Sequence, residues 1–211
     1  MSSTTVYPNG DGTLGGWAIS GGGTSNIYTA IDEGTASPND SDSIVCSTSA
    51  SAYYALLGDM PGDFGTATAV SIKVRAQYTS GKGDIKSFDC RLVQSDESTV
   101  ITANTTTAAS GSLSTYTISP SITGGTSKSV WDGARLKLAT VSGTSGGILV
   151  SAVQVDITYT AAASGSLFTT GNLNGLSCGG PKNFNRLERA RPSLWIPRRP
   201  QILVPAMVVS A

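Results

Sequence analysis

Between residues 69 and 78, Val70, Ile72, Val74, Ala76 and Tyr78 alternate with Ser71, Lys73, Arg75 and Gln77. A period of two sends one set of side chains to each face of an extended strand, and no helix can separate them that way. The pattern recurs in Phe88, Cys90 and Leu92, in Ala134, Leu136 and Leu138, and in Val153, Val155, Ile157 and Tyr159. Each predicts a strand with one buried and one wet face. Shorter strands are expected at residues 17–19, 26–31, 43–47, 53–57, 98–103 and 114–119. Turn-formers punctuate them: glycines 21–23, Pro38-Asn39-Asp40, Pro61-Gly62, residues 80–83, Gly124-Gly125 and Gly146-Gly147. No segment carries an apolar stripe of helical spacing and length. About ten half-wet strands imply an all-β fold, an antiparallel β-sandwich of jelly-roll-like type.

Composition agrees. Charged residues are 13% of the chain, against about 25% in ordinary globular proteins. Thr, Val and Ile broken by 25 glycines suit short strands and turns. The charge is unevenly placed. Residues 1–161 hold 8 Lys and Arg against 13 Asp and Glu, a balance of −5. Residues 162–211 hold Lys182 and five arginines against Glu188 alone, a balance of +5.

That reversal follows a small-residue hinge at residues 161–166 and divides the chain into a sandwich body, 1–161, and a second unit, 162–211. The second unit reads as an extended, non-globular C-terminal arm. Pro192, Pro197, Pro200 and Pro205 stand among Leu194, Trp195, Ile196, Ile202, Leu203 and Val204. Prolines at this density oppose helix and favour extended backbone with little self-burial. Such a tail is expected to order itself on a partner. Leu194, Trp195 and Ile196 would be its apolar anchors, with Arg189, Arg191, Arg198 and Arg199 meeting acidic surfaces. The arginines are too dispersed for a strong nucleic-acid footprint.

Catalysis finds little support. The chain has no histidine, which removes the commonest general base and metal ligand together. No nucleophile-elbow, P-loop, paired-histidine or paired-cysteine spacing occurs, and neither cofactor nor metal is expected. Asp32-Glu33 and Asp40-Ser41-Asp42 are the carboxylates suited to ligate Ca²⁺ or to act as a glycosidase pair. The simpler expectation is that Asp40 and Asp42 bond turn amides. Trp17, Tyr28, Tyr53, Tyr54 and Trp131 could form a sugar-stacking platform, although aromatics near strand ends more often plug a core. Cys46, Cys90 and Cys178 are odd in number and far apart, which predicts buried thiols in a reducing compartment. The N-terminus lacks the charge and apolar run of a signal peptide. No apolar run approaches membrane-spanning length.

The segments Gly16-Trp17-Ala18, 28–33 (YTAIDE) and 40–44 (DSDSI), with 70–78 (VSIKVRAQY), 130–138 (VWDGARLKL) and 152–159 (AVQVDITY), resemble β-sandwich proteins of tailed-bacteriophage virions. The likeness spans roughly residues 10–160 and no part of the arm. It implies a non-enzymatic capsid decoration (cement) or head–tail accessory protein in a virion assembled in the host cytoplasm. Its partners would be the major capsid protein or other virion subunits, in a homo-oligomer or symmetric array, with no membrane and no nucleic acid. The rival expectations are a tail, neck or fibre component and a carbohydrate- or receptor-binding module.

Overall fold

The alternating segments pair into two antiparallel sheets whose inward side chains share one core. The computed structural model describes residues 1–79, 87–141 and 147–163. The arm residues Arg189, Arg191, Leu194, Trp195, Ile196, Arg198 and Arg199 lie outside the described residues, as does Cys178.

Among the described residues the strands are β1 Ser2–Val6, β2 Pro8–Asp11, β3 Ala18–Ile19, β4 Ile44–Cys46, β5 Ala52–Leu57 and β6 Phe64–Thr79. They continue as β7 Ser87–Val93, β8 Thr105–Ala108, β9 Ser114–Ile118, β10 Arg135–Thr140 and β11 Gly147–Ala161. The first sheet runs β3-β4-β11-β6-β9, with β1 also paired to β11, and the second runs β2-β5-β10-β7-β8. Every pairing is antiparallel. The fold is an all-β, jelly-roll-like antiparallel sandwich.

The core forms where the two inner faces meet. Ile72, Val74, Ala76, Ile148, Val150, Val153 and Val155 come from the first sheet; Tyr53, Ala55, Phe88, Cys90, Leu92, Leu136 and Leu138 come from the second. Phe88 of β7 meets Tyr116 of β9 edge-on at 5.7 Å, so an aromatic pair bridges the sheets. Below them Phe64 stacks on Tyr159 at 4.7 Å and tilts against Trp131 at 6.2 Å.

Four expectations need correction. Residues 26–31 are a 3-10 turn, Ile27–Ala30, entered through Asn26 at φ 52°. Its buried Ile27, Ala30 and Ile31 stand at i, i+3 and i+4, a helical spacing that short-range alternation obscures. Residues 98–103 form no strand, only isolated bridges between Val93 and Val100 and between Thr102 and Ile122. A single helical turn, α1 Lys128–Trp131, buries Trp131 where no helix was expected. The edge pieces β1, β2 and β8 were not foreseen.

Cys46 and Cys90 are buried free thiols. Burial, helped by the charge of Asp89, pushes the Cys90 thiol up to about 12. It therefore stays protonated at neutral pH and is a poor nucleophile.

Candidate functional site

Of the five aromatics weighed as a platform, three are core. Trp17, Tyr53 and Trp131 are each at most 1% exposed. Trp17 tilts against Tyr53 at 6.5 Å and its indole N–H donates to the Ser51 carbonyl. The Tyr53 hydroxyl donates to Asp11 at 2.7 Å. Burial first, and then Asp11, hold that phenol far above its ordinary pKa. Tyr28 and Tyr54 are half-buried, and Tyr54 alone of the five stands on an outward sheet face.

Its position follows from register. On β5, Tyr53, Ala55 and Leu57 face the core while Ala52, Tyr54 and Leu56 face out. Lys137 of β10 lies directly opposite both Tyr54 of β5 and Arg91 of β7. Tyr54, Lys137 and Arg91 thus form one row across three strands, spanning roughly 10 Å at the usual strand spacing. The Lys137 ammonium sits 5.8 Å from the Tyr54 ring centroid, within cation–π reach. Burial, then Arg91, lower the Lys137 pKa, while Asp89 opposes them.

Two polar clusters border the row. On one side Arg135 binds Glu97, whose carboxylate also accepts the Thr13 backbone N–H at 3.0 Å and its hydroxyl at 2.6 Å. On the other, Thr106 donates to Asp89. In the row itself, neither Lys137 nor Arg91 has a carboxylate within ion-pair distance among the described residues. The Arg91 Nε is buried with no hydrogen-bond partner.

The outward face of the first sheet differs. Lys73 pairs with Asp156 at 2.8 Å, and Asp156 also accepts from Thr5 and Gln154. Arg75 grips Asp40 through two bonds, of 2.7 and 2.5 Å, and Ser151 adds a third at 2.9 Å. That face is satisfied by its own residues.

The carboxylates weighed for Ca²⁺ are accounted for differently from expectation. Asn39, not Asp40, makes the local turn: its side-chain oxygen accepts from the Ser41 amide and hydroxyl, its side-chain amide donates to Asp42, and its backbone carbonyl accepts the Asp42 N–H. Asp40 instead reaches across to Arg75. Asp32 and Glu33 follow the 3-10 turn and belong to no metal-ligand cluster among the described residues. Among the described residues no three His, Cys, Asp or Glu side chains converge as metal ligands.

The paired carboxylates predict an acid response. The Arg75 hydrogen bonds lower the Asp40 pKa, with Ser151 helping against burial. Burial alone would raise Glu97, Asp132 and Asp156, but Thr13 and Arg135, Lys128 and the Met60 amide, and Lys73 with Gln154 and Thr5 respectively outweigh it. A folded-state pKa below the unfolded value adds stability at higher pH and loses it on acidification. The urea midpoint should therefore fall as pH drops through about 4 and keep falling below it. Equal midpoints at pH 6.5 and pH 3 would contradict this.

No protein-family model and no curated protein matches the chain. Solved structures do. The C-terminal CBM6 of LamC, a laminarinase of Zobellia galactanivorans, is 13% identical over 74% of this chain and 99% of its own, with a TM-score of 0.40. A CBM4 structure is 12% identical over 67% of this chain and 86% of its own, with a TM-score of 0.41. The CBM36-1 domain of a multidomain xylanase from the Trinervitermes trinervoides hindgut metagenome is 10% identical over 76% of this chain and all of its own, at 0.39. These neighbours are carbohydrate-binding modules, and they transfer no residue role to this chain.

Proposed function

We propose that this chain is a non-catalytic carbohydrate-binding module whose ligand lies across the outer face of the second sheet, over Tyr54. The observation that carries this reading is the Tyr54–Lys137–Arg91 row: an aromatic ring on a regular sheet, flanked by donors that no carboxylate of the described residues occupies. A sugar ring presents weakly positive C–H groups to the electron-rich face of an aromatic and hydroxyls to nearby donors. Three adjacent strands hold these groups at fixed spacing, so little ordering is needed when the ligand arrives. The row offers little for bond cleavage, since it holds neither a histidine nor a thiol.

Tyr54→Ala should weaken glycan binding by about tenfold, the effect of losing one aromatic contact. It should leave thermal unfolding nearly unchanged, because the ring faces outward. A glycan array followed by calorimetry on the best ligand measures both. A chain that binds no glycan, or a Tyr54→Ala variant that binds as well as the parent, would sink the proposal.

A further inference from the structure

We infer that the ligand of this face is an acidic polysaccharide whose carboxylate or sulfate group seats between Arg91 and Lys137, beside the Tyr54 ring. This rests on the carbohydrate-binding reading and narrows it to a ligand class. Two like charges directly opposite on neighbouring strands repel each other. On the first sheet each outward cation in the corresponding position is neutralised by an aspartate, Lys73 by Asp156 and Arg75 by Asp40. On the second sheet Arg91 and Lys137 face each other with no such partner among the described residues. Asp89, the nearest acid of β7, already accepts from Thr106.

The chemistry of the gap is specific. Arg91 presents a planar fork of donors that matches two oxygens of one oxyanion. Lys137 supplies a mobile point charge on the same row. Burial and Arg91 hold its ammonium below the ordinary lysine pKa, and an anion between the two cations would reverse that. The row accommodates one anionic group, not a dense series. Duplex DNA carries one charge per about 1.7 Å, a denser series than this single row receives. A glycan with an acidic group on separated sugars presents a single charge beside apolar ring faces, which is what Tyr54 and the cation pair together can receive.

The test is affinity electrophoresis of the full chain in gels containing hyaluronan, κ-carrageenan or neutral hydroxyethylcellulose, with duplex DNA as a competitor; the two acidic polymers carry their charge on alternate sugars. Arg91→Gln, Lys137→Gln, the double variant and Tyr54→Ala are run beside the parent, with melting temperatures to verify folding. The expected result is retardation by one or both acidic polymers, weakened about tenfold by each cation variant and further by the double. Retardation by hyaluronan alone identifies a carboxylate ligand, and by κ-carrageenan alone a sulfate. The arm's charge is the same in every variant, so a folded double variant that binds acidic polymers like the parent overturns the inference. So does equal competition by DNA. Retardation by the neutral polymer alone, abolished in Tyr54→Ala, overturns the inference and leaves the carbohydrate-binding reading standing. Binding to none of the polymers counts against both.

Discussion

Replacing Trp131 with alanine should lower folding stability by about 3–5 kcal/mol, the usual range for removing a large buried aromatic. Trp131 is fully buried at the end of α1, and its ring packs against Phe64, which stacks in turn on Tyr159 of β11. The indole N–H donates to the Gly125 carbonyl at 3.1 Å. Truncation therefore opens a cavity at the base of the sandwich and strips a carbonyl of its donor. One strut near α1 would remain: Lys128 binds Asp132 and the Met60 carbonyl, and Asp132 accepts the Met60 amide. Relaxation into the cavity is thereby limited, which favours the upper part of the range. Trp131→Phe keeps most of the volume but not the N–H and should cost about 1–2 kcal/mol. Urea unfolding of the three proteins measures the series. A loss below about 1 kcal/mol in the alanine variant would mean the site collapses freely.

Strands β6 and β11 show what alternation can and cannot convey. Val70 to Tyr78 and Val153 to Tyr159 announced their strands because each keeps a single parity over many residues. The other half of β11 was hidden by a parity change. Ile148 and Val150 face the core on even positions, Val153 and Val155 on odd ones, and Ser151 is the extra residue where the register with β6 shifts. A bulge of this kind inverts the pattern while leaving the strand intact. Its Ser151 hydroxyl binds Asp40, so the bulge is tied to the ion pair that neutralises the first sheet.

The candidate site was legible only in part. Tyr54 was among the aromatics considered, but nothing in local sequence distinguishes it from Tyr53, which points the opposite way. Lys137 and Arg91 were visible as the wet positions of two strands, yet their meeting depends on β10 lying between β5 and β7 with Lys137 opposite both. That pairing is a matter of strand order, which alternation does not encode. The separation of paired from unpaired cations is likewise tertiary. Asp40 and Arg75 are 35 residues apart, and Lys73 and Asp156 are further still.

Asp11 accepts from three residues yet carries no sequence signature, and its loss gives the second large effect. Asp11→Ala should destabilise the protein by about 3–5 kcal/mol, since it leaves three donors without an acceptor at about 1–3 kcal/mol each. One Asp11 oxygen accepts the Ile27 N–H at 2.8 Å; the other accepts the Tyr28 N–H at 2.9 Å and the Tyr53 hydroxyl at 2.7 Å. These amides open the 3-10 turn, where Asn26 contributes no side-chain cap. Asp11 thus does from 16 residues away what a capping residue ordinarily does from the adjacent position. The turn it fixes inserts Ile27, Ala30 and Ile31 into the core, and the Ile31 carbonyl then accepts the Val153 amide of β11. Asp11 ends β2 and Tyr53 belongs to β5, so one carboxylate ties the turn to two strands of the second sheet. Asp11→Asn keeps one acceptor oxygen and should cost about half as much. Urea unfolding gives the magnitudes. Hydrogen exchange at Ile27 and Tyr28 gives the location, with protection at these two amides lost before that of β6. A loss below about 1 kcal/mol in the alanine variant, or unchanged protection at those amides, would show that the turn holds its place through packing alone.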